Sequence, residues 1–150
     1  MGRITVTTER AIGAPAEAVY GYIADMRNHH PRFLPAAFSE FEVESGGIGA
    51  GTVIKYALTA GGRTRRFRTL VAEPEPGRVL TESDTNSSAV TTFTVTPHGQ
   101  SSDVQITCSW TGASGVGGFF ERVFAPRAMR SILTDQLERM DAYARAQGTA

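Results

Sequence analysis

The chain has 150 residues and a formal net charge of zero, with 15 lysines and arginines against 15 aspartates and glutamates. This length is typical of one domain that buries its own core, so we expect residues 1–150 to form a single domain. The charge balance argues against a general nucleic-acid-binding protein, which needs a basic surface. The single cysteine, Cys108, excludes an internal disulfide bond and a four-cysteine zinc site.

The first part of the chain predicts a strand followed by a short helical region. Apolar and polar side chains alternate over residues 3–12, which is typical of a half-buried strand. Pro15 suits the first turn of a helix, and apolar residues at helical spacing predict that this helix covers about residues 15–25. Residues 28–35 contain two prolines and are predicted to form a loop or a helix of one to two turns.

The same region lacks the features of a targeting segment. Residues 1–12 are polar and alternating, without the apolar stretch of a secretory signal. No part of the chain approaches the roughly 18 consecutive apolar residues of a membrane-spanning helix. We therefore expect a cytoplasmic protein without stable membrane insertion, a location that the lone thiol also fits.

From residue 38 the apolar period changes to two, which is typical of β-strands. Phe41 and Val43 alternate with glutamates, so their strand has one apolar side and one acidic, solvent-facing side. Strands over residues 52–60 and 63–72 flank a Gly-Gly pair, which is a strong hairpin signal. Two prolines after residue 72 are expected to end the second of these strands.

Three more strands and a long helix complete the predicted elements. The strands cover about residues 78–85, 88–97 and 102–111, and turn-forming residue pairs separate the first two and the last two. The helix covers about residues 118–146 and carries an apolar stripe close to the 3.6-residue period. Pro126 is expected to kink it, because a proline in a helix interior removes one backbone hydrogen bond.

The order of these elements predicts an α+β protein. Six consecutive strands joined by short turns form an antiparallel sheet, and its single apolar face needs a cover. The long helix is the one predicted element with a matching stripe and sufficient length. We therefore predict a helix-grip fold, in which a curved seven-stranded antiparallel sheet, with two short helices after its first strand, wraps around the C-terminal helix.

This arrangement resembles the START-like superfamily, also called Bet v 1-like or SRPBCC, and within it most closely the polyketide cyclase/dehydrase and lipid-transport group. The resemblance covers nearly the whole chain. The segments that carry it are Ala14 through Tyr20, Asp25 through Pro35, Gly49 through Thr52, Val71 through Pro74 and Phe119 through Tyr143. One departure is that Phe33 or Leu34 stands where family members often carry a tryptophan before the proline.

The resemblance implies a cavity between sheet and helix that takes a lipid, a polyketide or an aromatic compound, with no cofactor. A cavity with apolar walls is a common form of ligand site. The apolar side chains expected to contact the ligand are Phe33, Phe41, Ile54, Tyr56, Leu58, Phe67, Phe93, Ile106, Trp110, Phe120, Phe124, Ile132, Leu133 and Leu137.

Tyr56 and Arg65 are two polar candidates for catalysis inside such a cavity. Tyr56 shares a strand face with Ile54, so its hydroxyl is placed to hydrogen-bond a ligand carbonyl. The alternative is a core tyrosine whose hydroxyl bonds a backbone group. Arg65 shares strand parity with Phe67, and an inward arginine would need an anion or carbonyl partner. The favoured alternative for Arg65 is a solvated hairpin tip, because arginine is rarely buried.

Glu82 is the third candidate, and it shares a strand face with Asp84. A buried carboxylate at this position would have a raised pKa and could act as a base. Neither face of this strand is strongly apolar, so the sequence does not fix which side points inward. Solvent exposure of both carboxylates is the favoured alternative.

The histidines and the cysteine predict no metal site. His29 and His30 are adjacent and point in different directions, while His98 lies in a predicted hairpin turn. His30 could line the mouth of a cavity, but a surface loop is its favoured position. Cys108 is expected to be a small buried apolar group, not a nucleophile.

Three functions fit this reading of the sequence. The first is a carrier or sensor that binds a hydrophobic small molecule, acting as a monomer or homodimer. The second is a polyketide cyclase, aromatase or dehydratase that uses polar groups in the same cavity. The third is an interaction module, similar to the co-chaperone relatives of this fold, with the face that carries Glu40, Glu42 and Glu44 as its partner surface. Binding is the prediction, because no catalytic constellation is evident from the sequence.

Overall fold

The computed structural model describes residues 3–60, 62–111 and 126–148. They form a curved seven-stranded antiparallel sheet, one short α-helix, one short 3-10 helix and a long C-terminal helix, so the predicted helix-grip fold is confirmed. The elements in chain order are β1 (Arg3–Ile12), α1 (Ala16–Ala24), the 3-10 helix (His30–Phe33), β2 (Phe38–Ser45), β3 (Val53–Ala60), β4 (Arg63–Glu75), β5 (Val79–Asp84), β6 (Val90–His98), β7 (Ser101–Thr111) and α2 (Pro126–Gly148).

The sheet has the strand order β1-β7-β6-β5-β4-β3-β2. Strands β2 to β6 each pair with the next strand in the chain, as the hairpin signals predicted. The first strand pairs with the last, with Ile4 opposite Trp110 and Val6 opposite Cys108. The first and last strands of the chain therefore lie side by side in the sheet.

Strict alternation along β7 sets the inner face of the sheet. Every second residue of β7 is buried, including Val104, Ile106 and Trp110. Helix α2 covers this face with a buried stripe that includes Leu133 and Leu137. Removing these apolar groups from water provides the main stabilisation of the fold.

Polar contacts fix the position of α2 against the first strand. The backbone N–H of Gly13, just after β1, donates a hydrogen bond of 2.8 Å to Asp141 Oδ1 of α2. The Arg130 guanidinium donates to the Thr7 carbonyl at 2.9 Å. These bonds hold the C-terminal helix across the sheet, so the space beneath it has a defined shape.

Two strand features differ from the prediction. β4 continues through Pro74 to Glu75, three residues beyond its predicted end. A shift in the β4–β5 register between Ala72 and Glu75 leaves the proline outside the regular ladder, which is how strands tolerate proline. In β2, Glu40 has a positive φ of 54°, and the register with β3 shifts between Ser39 and Glu42.

The described part of the C-terminal helix begins at Pro126. The stretch of the predicted helix from residue 118 to 125 and the expected kink at its junction with Pro126 lie outside the described residues. The predicted ligand contacts Phe120 and Phe124 lie outside them as well.

Candidate functional site

A pocket of about 40 Å³ lies between the inner face of the sheet and α2. Six strands, the segment around the 3-10 helix and three residues of α2 contribute to its walls. The lining residues are His30, Leu34, Phe38, Phe41, Ile54, Tyr56, Leu58, Phe67, Thr69, Glu82, Asp84, Ala89, Thr91, Phe93, Cys108, Met129, Leu133 and Gln136. This volume holds a few water-sized molecules, so the walls are close together.

Aromatic rings form one wall of the pocket. The Tyr56 ring packs against Phe38 and Phe67, with centroid distances of 5.4 Å in both cases. The irregularity at Glu40 explains why Phe38 and Phe41 both line the pocket although they are three residues apart. An extra residue in one strand moves the next side chain to the other face.

Glu82 is buried at the floor of the pocket, with 7% of its surface exposed. Leu80, two residues earlier on β5, is fully buried, and the strand alternates so that Glu82 and Asp84 point to the same side. The expectation that these two carboxylates face solvent is therefore wrong, because β5 lies in the middle of the sheet with this face covered. Burial raises the pKa of Glu82 to about 8.

One oxygen of Glu82 is left without a partner. Its Oε2 atom is buried and has no hydrogen-bond partner within the described ranges of the chain. Thr69 Oγ1, on the neighbouring strand β4, is also buried and has no hydrogen-bond partner among the described residues. Buried polar atoms normally have partners, so two orphaned oxygens in one pocket indicate a place for a polar group that comes from outside the fold.

His30 reaches the same pocket from the 3-10 helix. Only 2% of its surface is exposed, and its ring packs near Phe33, Phe41 and Phe93. The favoured surface-loop position for this histidine is therefore wrong. The 3-10 helix turns the side chain beneath these rings, and burial lowers the pKa of His30 to about 4.

The imidazole of His30 faces the carboxyl group of Glu82. Its Nδ1 lies 2.8 Å from the carbonyl oxygen of Ile23, and its Nε2 lies 3.7 Å from Glu82 Oε2. The second distance is longer than a hydrogen bond. A carboxyl group and an imidazole at this distance can bind and exchange a proton with a third group placed beside them.

Asp84 differs from Glu82 because its oxygens have partners. Ser87 Oγ donates to Asp84 Oδ2 at 2.6 Å, and the Arg65 guanidinium lies 3.5 Å from the same oxygen. The Arg65 guanidinium also lies over the Phe67 ring, 4.6 Å from its centroid. Only 16% of the Arg65 side chain is exposed, so the expectation of a solvated position is wrong for this arginine.

Tyr56 lines the pocket, and burial raises the pKa of its phenol well above the ordinary value. The hydroxyl therefore stays protonated at neutral pH and can donate a hydrogen bond. Cys108 also lines the pocket, and burial raises the pKa of its thiol to about 11. The prediction that Cys108 is a buried apolar group, not a reactive thiolate, agrees with its position.

The predicted ligand contacts among the described residues divide into three groups. Those that line the pocket are Phe41, Ile54, Tyr56, Leu58, Phe67, Phe93 and Leu133. Those that belong to the core but not to the pocket wall are Phe33, Ile106, Trp110 and Leu137. Ile132 is only partly buried and borders a surface groove between residues 35–37 and α2.

The acidic face of β2 is neutralised within the sheet. Arg66 lies 2.6 Å from Glu40, and Arg68 lies 2.6 Å from Glu44. The partner surface expected for an interaction module therefore consists largely of intramolecular ion pairs. Glu42, the middle glutamate of this face, is exposed.

Within residues 3–60, 62–111 and 126–148, no group of three or more histidine, cysteine, aspartate or glutamate side chains is arranged to hold a metal ion. No helix in the same ranges is long and apolar enough to cross a membrane.

Comparison with known proteins gives matches of three kinds. A family model described as polyketide cyclase/dehydrase and lipid transport matches residues 3–145. Pathogenesis-related protein 2 from Petroselinum crispum is 42% identical over 59 residues, which are 39% of this chain and 37% of that protein. The match therefore spans little more than a third of that relative.

Solved structures match over nearly the full length. The NMR solution structure of the KanY protein has a TM-score of 0.85 and 36% identity, and the match covers 97% of this chain and 99% of that one. A Thalictrum norcoclaurine synthase point mutant, solved in complex with a transition state analogue, has a TM-score of 0.74. It is 14% identical, over 98% of this chain and 97% of that one, so this likeness concerns the fold alone.

Proposed function

Since the chain belongs to the polyketide cyclase/dehydrase and lipid transport family, as the sequence predicted, we propose that it binds a small hydrophobic molecule between the sheet and α2. It acts as a carrier or sensor of that molecule, as a single domain that is monomeric or homodimeric. The observation that supports this most is the pair of orphaned oxygens, Glu82 Oε2 and Thr69 Oγ1, in a pocket with aromatic walls.

The energetics of the pocket favour an occupant. A buried polar atom without a partner costs about 1–3 kcal/mol, so a ligand group that bonds it recovers part of this free energy. Contacts with the aromatic and aliphatic walls contribute affinity but do not orient the ligand, whereas hydrogen bonds to the two oxygens do orient it.

A ligand larger than a few waters requires the walls to move apart. Met129, Leu133 and Gln136 are the α2 residues that border the pocket, and methionine side chains repack easily. Displacement of these side chains, or of α2 with them, would enlarge the pocket toward the size of the ligands that this family binds.

A second candidate function is catalysis of ring closure or dehydration in the same pocket. The observation that favours it is the His30–Glu82 pair, because a carboxyl group with a pKa of about 8 beside a neutral imidazole is suited to acid–base chemistry. Both functions use the same ligand position, and they differ in whether the bound molecule is released unchanged.

Native mass spectrometry of the protein purified from its own host tests the proposal. Carrier or sensor function predicts a discrete added mass that denaturation releases, and the same spectrum reports monomer or homodimer. A released mass that matches a cyclised or dehydrated product would favour the enzyme. An apo mass, with no thermal stabilisation by sterols, fatty acids or aromatic polyketides, would contradict both.

A further inference from the structure

We propose that the floor of this pocket selects ligands that carry an uncharged oxygen, a ketone or a hydroxyl, and rejects carboxylates, because His30, Glu82 and Thr69 present hydrogen-bonding groups without a cation. This inference rests on the proposed ligand binding and specifies which molecules bind. It concerns recognition and holds whether or not the ligand is chemically changed.

The hydrogen bond to Ile23 determines the tautomer of His30. A backbone carbonyl only accepts hydrogen bonds, so Nδ1, 2.8 Å from the Ile23 oxygen, carries the hydrogen. In a neutral imidazole the other nitrogen is then an acceptor. The lone pair of Nε2 therefore lies opposite Glu82 Oε2, at 3.7 Å.

This arrangement requires a proton between the two groups. An ionised Glu82 would place an acceptor oxygen against an acceptor nitrogen, in a site shielded from water. A protonated Glu82 places an O–H donor there instead, and the effect of burial on the pKa of Glu82 has the same direction. At neutral pH the pocket floor thus offers a neutral carboxyl donor beside a neutral imidazole acceptor.

The ligand oxygen has a defined position on the floor. Glu82 pairs with Val71 across the β4–β5 ladder, and Thr69 pairs with Asp84, so Thr69 and Glu82 are diagonal neighbours on the same face. An oxygen placed between them can accept from the Glu82 carboxyl and from the Thr69 hydroxyl. A ligand hydroxyl can in addition donate to His30 Nε2.

The remaining groups around Glu82 do not supply a counterion for an anionic ligand. On β3, Tyr56 keeps its proton, and on β7, Cys108 keeps its proton, because burial raises the pKa of each. His30 is neutral above about pH 4. On β5 and β4, Asp84 and Arg65 face each other as an ion pair.

Among the described residues, no lysine or arginine lines the pocket. A carboxylate would lose its hydration on entry without gaining an opposite charge, and this cost is large in an apolar site. A ketone or hydroxyl loses far less hydration free energy on entry, and hydrogen bonds with the two orphaned oxygens compensate for that loss.

Four naphthalene probes with matched shapes test this inference: naphthalene, 2-acetylnaphthalene, 2-naphthol and 2-naphthoate. Dissociation constants are measured by isotope-edited NMR titration of the wild-type protein at pH 6.5 and pH 9. At pH 6.5 we expect the ketone and the naphthol to bind about tenfold more tightly than naphthoate. This difference in binding free energy is similar to the contribution of one hydrogen bond. At pH 9 we expect the ketone to bind more weakly, because Glu82 has lost its proton.

The Glu82→Gln variant separates this explanation from a general effect of pH. Glutamine keeps an N–H donor at every pH, so the affinity of the variant for 2-acetylnaphthalene should not change between pH 6.5 and pH 9. Glu42→Gln, the same substitution at an exposed position of β2, is the control and should behave as the wild type.

Three results would overturn the inference. Tighter or equal binding of naphthoate in the wild type contradicts the selection of uncharged ligands and needs no variant. A pH dependence that persists in Glu82→Gln contradicts Glu82 as the donor. In both cases binding itself remains, whereas failure of all four probes, naphthalene included, contradicts the proposed binding function and this inference with it.

Discussion

His30 Nε2 and Glu82 Oε2 lie 3.7 Å apart in the interior of the protein, one supplied by the 3-10 helix and the other by the middle of the sheet. Each group has its pKa displaced toward its uncharged form by the same cause, which is burial. The pair therefore links the acid–base behaviour of the pocket to the stability of the fold.

The stability of the protein should fall as the pH rises from about 4.5 to about 8 because of Glu82. Its pKa rises from the ordinary value of 4.5 to about 8 on folding, so the folded state holds the proton more tightly. This contribution is complete below pH 4.5 and is lost as the pH rises through 8. Relative to Glu82→Gln, the free energy of unfolding of the wild type should decrease by about 1.4 kcal/mol per pH unit between pH 5 and 8.

Urea unfolding curves of the two proteins at pH 5, 6, 7 and 8 measure this difference. Glu42→Gln again serves as the matched control and should parallel the wild type. Parallel pH profiles for wild type and Glu82→Gln would show that Glu82 ionises normally in the folded protein.

His30 should remain neutral far into the acid range. Burial lowers its pKa from 6.5 to about 4, so its contribution to stability is present above pH 6.5 and is lost as the pH falls through 4. Imidazole nitrogen shifts measured by NMR should show the Nδ1–H tautomer for His30 down to about pH 5. An Nε2–H tautomer would be inconsistent with the hydrogen bond to Ile23, and a titration near pH 6.5 would be inconsistent with the burial of the ring.

Gly49 should not tolerate a side chain, whereas Gly21 should. Gly49 has a φ of +69°, and a Cβ there would collide with Glu73 Oε1, the oxygen that accepts a hydrogen bond from the Ala50 N–H at 2.8 Å. Gly49→Ala should destabilise the protein by about 1–3 kcal/mol through backbone strain and the lost contact.

The matched control is Gly21→Ala in α1. A Cβ at this position meets no described atom within 4 Å, and alanine should stabilise the helix by about 0.5–1 kcal/mol. Thermal unfolding of both variants reports the two effects. Equal behaviour of the two alanine variants would contradict the close approach of Glu73 to the glycine-rich turn.

Two neighbouring arginines on β4 should differ in their contribution to stability. Arg65 lies against the buried carboxylate of Asp84, so Arg65→Ala leaves that charge with less compensation and should cost about 2–4 kcal/mol. Arg66 pairs with Glu40 at the exposed surface, so Arg66→Ala should change the free energy of unfolding far less than Arg65→Ala does. Denaturant unfolding of both variants measures the difference, and similar losses would place Arg65 in solvent.

The sequence predicted the fold well because the relevant signals were strong and local. The alternation around Tyr56 and along β7 settled which face points inward, and the hairpin turns settled the order of the strands. The positions of Glu82 and His30 were not predictable in the same way. β5 carries one apolar residue on each face, Val79 and Leu80, so its alternation does not mark the inner face. The burial of His30 depends on rings from distant elements.

Phe38 shows a different limit of strand periodicity. A strict period of two places Phe38 on the face opposite Phe41, yet both line the pocket. The reason is the irregular backbone at Glu40, whose positive φ no local residue preference indicates. Strand parity predicted a set of side chains that contact the ligand, and most of them line the pocket. Several others belong to the core and do not reach the pocket wall.

Location of a bound ligand tests the central claim most directly. Intermolecular NOEs between 2-acetylnaphthalene and methyl-labelled protein identify the residues that surround it. We predict NOEs to Ile54, Leu58 and Leu133, which line the pocket on the sheet and on α2. NOEs confined to the exposed side chains of Ile48 and Leu70 would place the ligand on the outer surface and contradict the account.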